Sequence, residues 1–129
     1  MINAGPVYGW ALYILVGGNM KEPMITMLKI YKPLELGVDW LDYKIYRPTD
    51  LTFHHIKEAR NGGKRVLENG AILVRRSHEY LNFLDLYYHS CYDDLNYLFK
   101  ELNMTRQPPT QEYYDEVHYV LKKVKKIKE

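Results

Sequence analysis

His54 and His55 stand side by side; Gly62-Gly63 follow His55 at seven and eight residues, Asn69 at fourteen, and His78 nine residues beyond Asn69. Hydrolysing a phosphodiester needs a base that takes a proton from water and a cation that offsets charge on the phosphate and the departing oxygen. An imidazole near its unperturbed pKa is neutral around physiological pH and can take that proton. Imidazole nitrogens and amide oxygens also hold divalent metals. His78 and Asn82 are four residues apart, hence on one face of a helix. Adjacent strand residues point to opposite faces, so His54 and His55 are free to take different tasks. Together these residues suggest a metal clamp between a strand end and a helix start, with a spare histidine beside it. Singly they are ordinary: a lone His is usually a surface or hydrogen-bonded residue, and Asn69-Gly70 alone suggests a tight hairpin turn. The joint spacing is what carries the reading.

The elements needed to position these groups are legible around them. Residues 51–53 are short and β-prone and lead straight into the histidine pair. Residues 57–68 are polar, hold Asn61-Gly62-Gly63 and read as a loop. Gly70–Val74 reads as a second strand, and Ser77 as the N-cap of a helix. Leu81, Leu84, Tyr88, Cys91, Leu95, Leu98 and Leu102 recur at three- and four-residue steps as one apolar helical stripe. Residues 103–109 interrupt it. Thr110 can cap a last helix, whose stripe is Tyr113 or Tyr114, Val117, Val120 or Leu121, Val124 and Ile127. Upstream, Met24–Tyr31 reads as a strand or short helix ended by Pro33, and residues 35–50 as loop-rich. The expected fold class is α+β in one domain over residues 1–129: a strand–loop–strand–helix core at 51–90, a C-terminal helical extension at 91–129, and a short N-terminal hydrophobic segment.

Composition bounds the function without choosing it. At 129 residues, 47% hydrophobic and 26% charged, the chain can bury a core and does not read as disordered. A net charge of +2 does not by itself announce nucleic acid. The lone Cys91 forbids an intrachain disulfide and fits a reducing cytoplasm. The apolar run at residues 7–16 is about half of the roughly 20 residues a spanning helix needs. It reads as a buried strand or hydrophobic arm rather than a membrane segment, unless translation begins at Met20, Met24 or Met27. His89 and His118 read as ordinary surface histidines. The lysine-rich end, residues 122–128, reads first as a dipole-matched helix terminus.

The stretch FHHIKEARNGGKRVLENGAILVRRSHEYLN resembles the HNH, or ββα-metal (His-Me finger), motif of nuclease colicins, homing endonucleases and CRISPR effector nucleases. The resemblance covers roughly residues 51–90. It implies that His54 is a metal ligand, His55 the general base, Asn69 the residue that orients the base or braces the loop, and His78 a second ligand. Asn82 is the candidate third ligand, where nuclease colicins carry a histidine. Val74 and Ser77 occupy positions where many relatives have zinc-knuckle cysteines, so no structural zinc knuckle is expected. The implied cofactor is one divalent ion among Mg, Mn, Ni and Zn. The absence of a carboxylate ligand favours Zn, Ni or Mn over Mg.

The expected activity is metal-dependent hydrolysis of DNA, by nicking, to 5′-phosphate and 3′-hydroxyl ends. RNA is a second candidate substrate. Lys64, Arg65, Arg75 and Arg76 are the candidate phosphate contacts, which would fix position without reading sequence. The alternative is a catalytically silent HNH-like module that binds DNA or a protein as a regulator or inhibitor. The tyrosine content and the unmatched N-terminal segment leave room for a protein partner or homodimer. A phage or bacterial origin and a cytoplasmic location, with no membrane partner, would suit either reading.

Overall fold

The structure, a computed structural model, describes residues 21–31, 37–42 and 44–128. The apolar run 7–16, Pro33, Tyr43 and the side chains of residues 125–128 lie outside that description. The described chain is mixed α+β. Helix α1 (Met24–Tyr31) is followed by two-residue strands β1 (Gly37–Val38) and β2 (Ile45–Tyr46), which pair antiparallel. Strands β3 (Leu51–His55) and β4 (Gly70–Val74) form a second antiparallel pair, and helices α2 (Arg75–Tyr87), α3 (His89–Thr105) and α4 (Gln111–Lys128) complete the chain.

The first segment is a helix because its apolar residues fall at i, i+3, i+4 and i+7: Met24, Met27, Leu28 and Tyr31 are all buried. Its amino end is held by the Glu22 carboxylate, which accepts hydrogen bonds from the Thr26 N–H (3.2 Å) and hydroxyl (2.8 Å).

The β3–β4 register runs from Leu51 opposite Val74 to His55 opposite Gly70. Strand alternation then sorts the side chains. Thr52 and His54 reach towards α2, where both meet His78. Phe53 and His55 share the other face, their rings edge to face with centroids 4.9 Å apart.

The loop between the strands is built around the glycine pair. Gly62 has φ +91°, a left-handed conformation that favours glycine. A Cβ on Gly63 would lie 1.7 Å from the Lys57 carbonyl oxygen, so the backbone there approaches too closely for any side chain. The Asn69 side chain closes the loop: its Oδ1 accepts the Lys57 N–H (2.7 Å), and its Nδ2 donates to the carbonyls of Lys57 (2.9 Å) and Lys64 (3.0 Å). Arg60 pins the loop to α2 by bridging Glu58 (2.7 Å) and Asp85 (3.2 Å).

Two sequence expectations are corrected here. Ser77 does not cap a helix: α2 begins at Arg75, and the buried Ser77 hydroxyl donates to Asp39 Oδ2 (2.9 Å). Asp39, in a distant loop, anchors the helix start instead, its Oδ1 accepting the N–H of Val74, the residue before the helix, at 2.6 Å. The stripe from Leu81 to Leu102 is also not one helix. Tyr88 leaves helical geometry (φ −142°, ψ 59°) and separates α2 from α3, with no Gly or Pro to mark the break. The stripe residues are buried nonetheless, apart from the half-buried Tyr88, because both helices turn that face to the core. Thr110 does cap α4, its hydroxyl accepting the Tyr113 N–H at 3.2 Å.

Candidate functional site

Strand β3, helix α2 and helix α3 bring three side chains together. His54, only 5% exposed, has its Nδ1 3.4 Å from Nε2 of His78 and its Nε2 2.8 Å from Oδ1 of Asn96. The two imidazole rings meet edge to face at 87°, and the His54 ring is also edge-on to Phe99.

The direction of each hydrogen bond follows from its far end. The Thr52 hydroxyl donates its one hydrogen to the Leu73 carbonyl (2.7 Å). Its oxygen can then only accept from His78 Nδ1, 3.2 Å away, so His78 carries its proton on Nδ1. The Asn96 carbonyl oxygen accepts only, so His54 carries its proton on Nε2. Two lone pairs, on His54 Nδ1 and His78 Nε2, are left facing each other.

Burial disfavours the charged form of both rings. It pushes the His54 imidazole down to about 4, with His78 and His55 adding to the fall and the Asn96 bond opposing it. Burial, and then the nearby charge on His55, also lower His78. A pair of partly buried acceptors facing one another is unfavourable unless something that accepts both lone pairs lies between them. Two nitrogens bound to one tetrahedral zinc at the usual bond length would stand about 3.3 Å apart. The observed 3.4 Å fits that spacing.

The other expected site residues are distributed around this pair. Asn82 lines an open cleft with Thr52, Arg75, His78 and Glu79. It makes no hydrogen bond to His54 or His78 among the described residues. His55 ends β3 on the Phe53 face, away from the lone pairs, yet close enough for its charge to act on both His54 and His78. Asn69 braces the loop behind His55 and touches neither ring.

The basic residues separate into distinct environments. Arg75 stands at the cleft, loosely paired with Glu79 (3.4 Å), and both side chains are exposed. Arg76 turns the other way, to Asp42 (3.1 Å) and the Tyr46 hydroxyl (2.8 Å). The Arg65 guanidinium lies over the Phe53 ring at 4.8 Å, and Lys64 is exposed.

Three contributors lie outside the expected set: Thr52, Asn96 and Asn103. Asn96 and Asn103 are two helical turns apart on α3. The buried Asn103 donates to the carbonyls of Leu67 and Gly70 (both 2.7 Å) and so holds the start of β4. Spacing could place two asparagines on one face of α3, but nothing local ties that face to a histidine 42 residues earlier.

Among the described residues, no group of three or more His, Cys, Asp or Glu side chains is placed to hold a metal ion. No described helix is long and apolar enough to cross a membrane. No protein-family model matches the chain, and neither does any curated protein or solved structure.

Proposed function

We propose that the protein is a metal-dependent endonuclease of the HNH, ββα-metal type, hydrolysing phosphodiester bonds in DNA. The observation that carries this reading is the meeting of His54 Nδ1 and His78 Nε2 at 3.4 Å, with the other nitrogen of each ring already engaged. Two neutral imidazoles presented in this way are a ligand set for one divalent ion, and the borderline-soft character of nitrogen favours zinc, nickel or manganese over magnesium. Such an ion supplies charge neutralisation at the phosphate and the departing oxygen.

His55 takes the proton from the attacking water. It sits at the end of β3, where the ladder gives way to the braced loop. Asn69 holds that loop in place, and Arg75 meets a phosphate at the cleft that His78 and Asn82 line. Asn82, which lines the same cleft, would offer such an ion an amide oxygen. Arg76 is committed to Asp42 and Tyr46, which leaves Arg75 the better placed of the two for phosphate.

A second reading, a silent HNH-like module that binds DNA or a protein, is favoured by one observation. Only two imidazoles converge, and no third His, Cys, Asp or Glu joins them among the described residues. Nicking of supercoiled plasmid in Mg, Mn, Ni or Zn separates the two readings. The nuclease should nick in at least one of these metals, and His55→Ala should slow cutting by about 10²–10⁴-fold while DNA binding is retained. Cutting by His55→Ala at the wild-type rate would remove His55 from the mechanism.

A further inference from the structure

We propose that Asn96, on α3, is a positioning residue: its side-chain carbonyl accepts the His54 Nε2–H and thereby reserves His54 Nδ1 for a divalent cation. The inference rests on the reading of His54 and His78 as a cation site, and it extends that site to a helix beyond the strand–loop–strand–helix unit.

The first support is geometric. The His54 Nε2–Asn96 Oδ1 separation of 2.8 Å is the shorter of the two contacts His54 makes through its ring nitrogens, and His54 is buried. A neutral imidazole has one N–H, so the partner that takes this proton decides which nitrogen is left bare. With Asn96 as acceptor the bare nitrogen is Nδ1, the one that faces His78.

The second support lies on the opposite side of the pair. The Leu73 carbonyl takes the Thr52 hydrogen and the Thr52 oxygen accepts from His78 Nδ1, so the bare nitrogen of His78 is Nε2, the one that faces His54. Carboxylate or amide partners of ligand imidazoles raise ligand basicity and fix the ring, and their loss commonly costs 10–100-fold in metal affinity.

The test uses the full chain labelled with ¹⁵N at histidine, first metal-free at neutral pH and then titrated with Co²⁺ alone. In the wild type, the ¹⁵N shifts should show His54 protonated on Nε2. In Asn96→Leu a substantial Nδ1–H population should appear, and Co²⁺ affinity should fall about 10–100-fold. Asn96→Asp keeps an acceptor at the same place; it should retain the Nε2–H form and bind Co²⁺ at least as tightly as the wild type. Asp at this position also serves where Leu impairs folding. A His54 that is Nδ1–H in the wild type, or unchanged tautomer populations in Asn96→Leu, would overturn the proposal. Failure of the wild type to bind Co²⁺ or any other divalent ion would instead sink the cation reading, while the metal-free shifts would still decide the part played by Asn96.

Discussion

The first turn of α2 lies between two buried polar clusters that are built on opposite logic. On one side, the Asp39 carboxylate accepts from the backbone N–H groups of Val74, Leu41 and Asp42 and from the Ser77 hydroxyl, all between 2.6 and 2.9 Å. The Tyr114 hydroxyl donates to the Asp39 carbonyl and the Tyr113 hydroxyl to that of Trp40. Each of these six donors meets an acceptor, whereas the buried Trp40 Nε1–H has none among the described residues. On the other side, Thr52 and Asn96 settle the outer nitrogens of His78 and His54 and leave two acceptors facing at 3.4 Å. The first cluster holds the helix; the second is the one proposed above to take a cation. The balance of donors and acceptors thus differs between a structural polar core and the proposed cation site.

Stability should reflect the contrast most strongly. Asp39→Ala removes the acceptor of four donors in a buried setting, each costing roughly 1–3 kcal/mol when left unsatisfied. Urea unfolding should therefore show a loss of about 4 kcal/mol or more. His78→Ala in the metal-free protein relieves an acceptor–acceptor contact and should cost no more than about 1 kcal/mol. Equal losses at the two positions would erase the distinction drawn between the clusters.

Acid titration should sharpen the same comparison with a smaller effect. Burial pushes the Asp39 carboxyl up to about 6 against the pull of its N–H partners. A raised carboxyl contributes stability below its unfolded value of 3.8, and that contribution is lost as pH rises through about 6. His54 runs the other way. With its pKa lowered to about 4, its contribution is present above the unfolded value of 6.5 and is lost as pH falls towards 4. In chelated, metal-free protein, the stability of the wild type relative to His54→Gln should drop by an amount on the order of 3 kcal/mol between pH 7 and pH 4. A difference that stays constant across this range would mean that His54 is not held neutral by burial.

What could be read from the sequence was whatever is settled locally. Gly62 and Gly63 announce a loop because the backbone there needs a positive φ and a close approach that other residues do not permit. The alternation in β3 separates His54 from His55 correctly, since the period of a strand is a local property. The site residues that went unread are those fixed by tertiary contact. Ser77 looks like a helix cap in isolation, but Asp39, 35 residues before Val74, supplies the carboxylate. The break at Tyr88 carries no glycine or proline. Thr52 and Asn96 are unremarkable in the sequence, and each gains its meaning only from the ring nitrogen it meets across the fold. The arrangement of His54 beside His78 follows the spacing; the bonds that set their tautomers do not.

The central claim is that His54 and His78 share one divalent ion. Calorimetric titration of metal-free protein with Zn²⁺, alongside His78→Ala, tests it most directly. One ion per chain should bind the wild type, and His78→Ala should bind it more than about 100-fold more weakly, a greater loss than removal of a supporting residue causes. No binding to the wild type, or equal affinity in His78→Ala, would contradict the claim.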